Sequence, residues 1–173
     1  MKKEDVSNEY DDDYDDEDTQ KDKYLTFRVS DEEYGLEIKD IIEIVGIQKI
    51  TQIPDVAEYL KGVINLRGKI VPVIDVRLRF GFPAKEYEER TCIVIVDAHS
   101  THIGLIVDSV SEVVIIPAEQ IDDPPHTTKG SKSKYIQGLG RLGEQVKILL
   151  NLDILLKDED LVSIDSSIAE FKE

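Results

Sequence analysis

From Tyr24 onward, apolar residues recur at every second position. Leu25, Phe27 and Val29 alternate with Thr26, Arg28 and Ser30, the spacing of a strand with one buried face. Cys92 to Val96 is apolar throughout, as expected of a strand covered on both sides. Turn residues separate these runs at Asp31-Glu32-Glu33, Pro54-Asp55, Arg67-Gly68, His99-Ser100 and Gly140 to Gly143;. The pattern predicts strands near 24–30, 34–39, 41–48, 62–67 and 69–76, with an equivalent set from 91 to 152. Helical spacing stands out only at Leu161, Ile164, Ile168 and Phe171 behind Asp160, predicting a short C-terminal helix. Residues 55–60 are compatible with one further helical turn.

The chain also repeats. At an offset of 69, Gly35-Leu36-x-Ile38-x-x-Ile41-x-Glu43-Ile44 falls on Gly104-Leu105-x-Val107-x-x-Val110-x-Glu112-Val113. At an offset of 76, Tyr59-Leu60-x-Gly62 falls on Tyr135-Ile136-x-Gly138, and Ile70, Val73, Ile74 and Val76 fall on Val146, Leu149, Leu150 and Leu152. A duplication explains both registers, with the seven-residue slip absorbed in a Pro/Gly/Ser/Lys-rich stretch between Ile121 and Ser133. Five short strands close naturally into a small barrel. One such unit buries little apolar surface, so two packed together are expected, with a groove between them. The predicted units are a first barrel over 24–85, a second over 86–157, and a helix over 158–173.

Charge separates the N-terminus from this body. The 173 residues carry a formal charge of −16. Residues 1–23 hold 11 acids against 4 lysines, and Asp11 to Asp18 is acidic at every position but Tyr14. Such a block repels itself and has little to bury, so 1–23 is expected to be a disordered acidic tail. Asp11, Asp13, Asp15 and Asp22 have some of the spacing of a calcium loop, but position 6 is Asp16 where a turn glycine is needed;. The charge excludes general nucleic-acid binding and docking on anionic lipid. A lone Cys92 excludes a disulfide framework and fits a reducing compartment;. With no apolar run of about 18 residues and no leader pattern, the expected location is the cytoplasm.

Catalytic chemistry is sparse. Gly138-Leu139-Gly140-Arg141-Leu142-Gly143 spells a dinucleotide fingerprint, but it runs into the strand Val146 to Leu150 instead of a helix;. Asp97, His99 and Ser100 supply triad residue types at a spacing too short for a triad;. His99 and His102, with Asp97, lack a fourth metal ligand;. His126 sits alone in a Pro-rich loop, and Glu88-Glu89 and Asp122-Asp123 are charged loop pairs. The sequence predicts a non-enzyme without cofactor or metal.

The informative segment runs from Gly62 to Arg77, GVINLRGKIVPVIDVR. It is a hairpin with Gly68 supplying positive φ, and Pro72 is expected at an edge or bulge. Arg67 fits either a solvated turn cation or an interface anchor. Together with Tyr34 to Ile38, Glu43-Ile44, Gly104 to Val110, Ile136 to Gly140 and Ile148 to Leu152, this segment resembles the CheW-like domain family from Tyr24 to about Leu156. The resemblance implies two SH3-like five-stranded β-barrels in a mainly β fold. It also implies an adaptor that couples methyl-accepting chemoreceptors to the histidine kinase CheA in bacterial chemotaxis. The alternatives are a paralogue serving surface motility or gene regulation, and a ligand-binding barrel. By resemblance the receptor tip docks on Ile41, Glu43, Val45, Asn65 and Arg67, and the kinase on Val107, Asp108, Val110 and Gly138. Gly62 and Gly68 are then structural turn residues. Association with receptor arrays at the inner face of the membrane would come through these partners.

Overall fold

The computed structural model describes residues 19–124 and 133–157. The acidic tail through residue 18, His126 and the predicted helix beyond residue 157 lie outside the described residues.

Eleven strands form two sheets. The first strands are β1 (Lys23–Val29), β2 (Glu32–Glu37), β3 (Ile41–Gly46), β4 (Leu60–Leu66) and β5 (Lys69–Asp75). The others are β6 (Cys92–Ala98), β7 (Thr101–Val107), β8 (Ser109–Ile115), the two-residue β9 (Ile121–Asp122), β10 (Ile136–Leu142) and β11 (Gln145–Leu150). Two one-turn helices, α1 (Val76–Arg79) and α2 (Leu152–Leu155), follow β5 and β11. The predicted strands are present within a few residues of their expected ends.

One sheet has the order β3-β6-β7-β5-β4, the other β8-β1-β2-β11-β10-β9. Under the two repeat offsets these orders superimpose strand for strand, with β9 added at one end. The boundary expected at residue 85 does not divide them. Each half lends its first hairpin to the other half's sheet, so β1–β2 stands among β8, β11 and β10, and β6–β7 among β3, β5 and β4. Parallel pairs make the exchange, Leu149 opposite Gly35 and Gly104 opposite Val73. A Cβ on Gly35 would stand 2.9 Å from Leu149, and one on Gly104 2.8 Å from Val73. A side chain at Gly104 would press on both Ile93 and Val73, and one at Gly35 would push the end of Leu149 aside. A repeat reveals which segments are alike; it does not say which copy each one pairs with.

The exchange builds a core shared by both sheets. Leu25, Phe27 and Val29 of β1 face Val94 and Val96 of β6 and Ile103, Leu105 and Val107 of β7 in one buried cluster. The opposite faces of these strands fill each sheet's own interior. The ends of the repeats match in detail. Asp75 caps α1 and its N–H donates to the Tyr59 carbonyl at 2.8 Å; Asn151 caps α2 and its N–H donates to the Tyr135 carbonyl at 2.8 Å. Arg79 lies against both tyrosine rings and donates to the carbonyl of Leu155, its own counterpart in the other half. Pro72 departs from expectation, because β5 is an inner strand. It falls one residue before the parallel ladder to β7 begins at Val73, where the missing N–H breaks no bond to that neighbour.

Candidate functional site

The segment that singled itself out in the sequence builds one end of the five-stranded sheet. Leu66 pairs with Lys69 across a two-residue turn, with Arg67 at φ 53° and Gly68 at φ 89°. Two consecutive positive φ values define the hairpin turn that suits twisted strands. Arg67 is an unusual choice there, since a residue with a Cβ is disfavoured in the left-handed region. The Asn65 carboxamide oxygen accepts the Gly68 N–H at 2.8 Å and holds the turn.

Across the sheet ends, the Arg67 guanidinium donates to the Glu43 carboxylate. This pair links β3 to the β4–β5 turn, the two ends of the strand order. Asn65 and Arg67 thus share one turn, and Arg67 reaches from it to Glu43. Ile41 and Val45 are not exposed beside them. They share the half-buried face of β3 with Glu43 and pack on the shared core and the five-stranded interior respectively. The residues that face outward are Ile42 and Ile44, each 42% exposed. Sequence alternation could not rank the two faces, because both carry isoleucine.

Gly68 is a turn residue; Gly62 is not. Gly62 sits at a bulge in β4, at φ 143°. A Cβ there would fall 2.0 Å from the Thr51 carbonyl oxygen, which accepts the Val63 N–H in an isolated bridge.

The second group of expected docking residues lies largely inside. Val107 is 1% exposed in the shared core. Gly138 is buried, and a Cβ on it would meet Ile121 at 2.6 Å. Val110 packs partly against the shared core. Asp108 is committed to internal bonds, accepting from the Arg77 guanidinium at 2.7 Å and from the Ser30 N–H at 2.8 Å. Val107, Asp108 and Val110 lie where the chain crosses between sheets, and Gly138 lies within β10 against Ile121.

Exposed apolar side chains occur instead at Val113 and Ile115 of β8 and at Val146 of β11. Under the repeat, Val113 corresponds to Ile44 and Val146 to Ile70, which is also exposed. Each sheet thus carries an apolar face at the same strands. The faces differ in charge at their rims: the Glu43–Arg67 pair closes the end of the first sheet, with Glu43 on the other side of β3 from Ile42 and Ile44, whereas the second turn carries Gly143, with Arg141 paired to Asp122 at 2.8 Å. The repeat offsets already marked these positions, but nothing in the sequence said which would be exposed.

Among the described residues no cluster of His, Cys, Asp and Glu could hold a metal, and no helix is long and apolar enough to cross a membrane. Exposed apolar side chains grouped on two sheets suit docking of other proteins;.

The model of the CheW-like domain matches residues 23–160. The chain belongs to the CheW-like domain family. Relatives include the chemotaxis protein CheW of Klebsiella aerogenes, 37% identical over 83% of this chain and 87% of that protein. The chemotaxis protein CheW of Treponema pallidum is 30% identical over 79% of this chain and 83% of that protein. Among solved structures, the scaffolding protein TtCheW from Thermoanaerobacter tengcongensis superimposes with a TM-score of 0.74 at 36% identity, over 80% of this chain and 94% of that one. The two CheW-like sheets and their exchanged hairpins are thus the frame of a chemotaxis scaffold protein.

Proposed function

We propose that this chain couples methyl-accepting chemoreceptors to the histidine kinase CheA by holding both in fixed relative geometry, without catalysing a reaction itself. The observation that carries the reading is the pair of repeat-related apolar faces on separate sheets, one marked by the Glu43–Arg67 pair. The receptor's helical hairpin docks on the first face, its apolar ridge against Ile42, Ile44 and Ile70 and its polar side chains toward Asn65, Glu43 and Arg67. Helix recognition by an apolar face ringed with polar anchors has this form. The kinase's CheW-like domain docks on Val113, Ile115 and Val146, barrel against barrel. Modest affinity at each face suffices where an array multiplies the contacts, and membrane association comes only through the receptors.

Co-sedimentation with receptor cytoplasmic fragments and CheA tests the proposal. Both partners are expected in the pellet with the chain, and kinase activity is expected to rise in the ternary mixture. Failure of both partners to bind would refute the adaptor reading.

A further inference from the structure

Two chain crossovers connect the sheets, and the repeat places them at equivalent positions. At the second crossover the chain leaves β7 and enters β8 through Asp108. Asp108 accepts from Arg77 of α1 and from the Ser30 N–H in the β1–β2 turn, while its own N–H donates to the Arg28 carbonyl at 3.0 Å. Arg77 also donates to the Pro83 carbonyl at 3.2 Å. One residue before α1, the Asp75 carboxylate caps the helix and accepts the Tyr87 hydroxyl at 2.8 Å. Burial, reinforced by this bond, pushes the Tyr87 phenol up and keeps it a donor. The side chains of Arg77 and Asp108 are only 14% and 18% exposed.

At the first crossover the chain leaves β2 and enters β3 through the 3-10 turn Ile38–Asp40, which has no side-chain cap and no buried residue. The repeat offsets carry Asp108 back to Lys39, Ser30 forward to His99 and Arg77 forward to Asp153. The bonds do not carry over. His99 stands 3.6 Å from Asp153, both well exposed, and Lys39 leans on Glu37 at 3.7 Å. Burial and the neighbouring Glu37 push the Asp40 carboxyl up, so like charges crowd this corner.

We infer that Asp108, gripped by Arg77 on the five-stranded side and bonded to Ser30 and Arg28 of the six-stranded sheet, is a positioning element that sets the orientation of the two sheets, and so of the two docking faces, while the 38–40 crossover is the compliant corner about which they adjust. The apolar core between the sheets is non-directional, whereas a charge-assisted hydrogen bond from a planar guanidinium has a fixed geometry. The Arg79 bonds to the Leu155 carbonyl also cross between the halves, but they join the two one-turn helices and not a crossover. The inference rests on the coupling role proposed above, because only a two-faced adaptor needs that angle held.

The test uses the full chain with Cys92→Ala and spin labels at exposed Lys69 on one sheet and Glu144 on the other. Arg77→Gln is expected to broaden the inter-label distance distribution. It should leave receptor and kinase binding unchanged when each is measured alone, while kinase activation in the ternary mixture falls by on the order of tenfold, as small misplacement of positioned groups can produce. Asp108→Asn, which keeps an acceptor for Ser30, repeats the measurement if Arg77→Gln does not fold. Lys39→Asp with Asp153→Arg transplants the clamp to the loose corner and is expected to narrow the distribution. An unchanged distribution in the Arg77 and Asp108 variants, or full activation despite broadening, overturns the inference, as does a transplant that leaves the distribution as it was. If the parent chain fails to bind either partner, the coupling role falls, and the label distances still decide whether the clamp orients the sheets.

Discussion

Inside the five-stranded sheet, Ile64, Val71, Val73, Ile93 and Ile95 pack against one another, all at most 4% exposed. Their repeat counterparts in the six-stranded sheet are Gly140, Lys147, Leu149, Tyr24 and Thr26. One interior is therefore aliphatic and the other part polar. Thr26, fully buried, donates its hydroxyl to the Glu112 carbonyl at 2.8 Å. Lys147, 4% exposed, donates to Glu33 at 2.6 Å and to Gln145 at 2.9 Å. The volume absent at Gly140 is taken by Ile116, whose methyl stands 2.8 Å from where a Cβ would be. The same strand order tolerates both fillings because each buried polar group in the six-stranded sheet has its partner. Polar partners also tie β11 to β2 across the exchange, a link that oil-like packing would not make specific.

Interchanging the two interiors should break this comparison most severely. Val71→Lys puts at the aliphatic site the charge found at 147, among Ile64 and Ile106 of the same cluster and with His102 at the position equivalent to Glu33. A loss of about 4 kcal/mol or more is expected by urea unfolding, as for an unpaired buried charge. The reverse change is smaller. Lys147→Ala removes the buried partner of Glu33, which keeps its ion pair to Arg28 at 3.4 Å and some solvent contact, so a loss of about 2 kcal/mol, below the range for breaking a fully buried pair, is expected.

Acid titration sharpens the same contrast. The Lys147 hydrogen bond holds the Glu33 carboxyl below the usual range, so its folded pKa lies below its unfolded one. Its contribution to stability is complete above the unfolded pKa and disappears as pH falls through the folded value. The urea midpoint should therefore drop on acidification below about pH 4.3, and Lys147→Ala should flatten that segment of the curve. An equally steep decline in the variant would show that another carboxylate is responsible.

The smallest effect on stability belongs to the first docking face. Arg67→Glu removes an exposed ion pair and places two acids together, with an expected loss of about 1 kcal/mol or less. Receptor binding should nevertheless fall sharply while the melting temperature barely moves. A collapse of the fold would make Arg67 a structural residue only.

Much of this was legible in the chain. Period-two alternation placed the strands, since a half-buried strand must show it. The matches of Gly35 to Gly104 and Gly62 to Gly138 announced the duplication. The hairpin from Gly62 to Arg77 carried the family, and the ion pair from Arg67 to Glu43 appears only in the fold. Ile41, Val45, Val107 and Gly138 stand out in the chain as docking positions, whereas Val107 and Gly138 are buried and Ile41 and Val45 half-buried. In Ile41-Ile42-Glu43-Ile44-Val45 both faces are apolar, and the charged residue lies on the more buried one, where Arg67 receives it.

Local spacing and composition alone specify ten of the eleven strands, the repeat, the acid-rich N-terminus and the family; the two-residue β9 is too short to show a period;. Only the tertiary structure decided that the halves trade hairpins, which face of β3 looks outward, and that one crossover is clamped by Arg77 and Asp108 while its counterpart is not. Those outcomes depend on which distant residues come into contact. A glycine opposite Leu149 or Val73 has its meaning only once the two strands lie side by side.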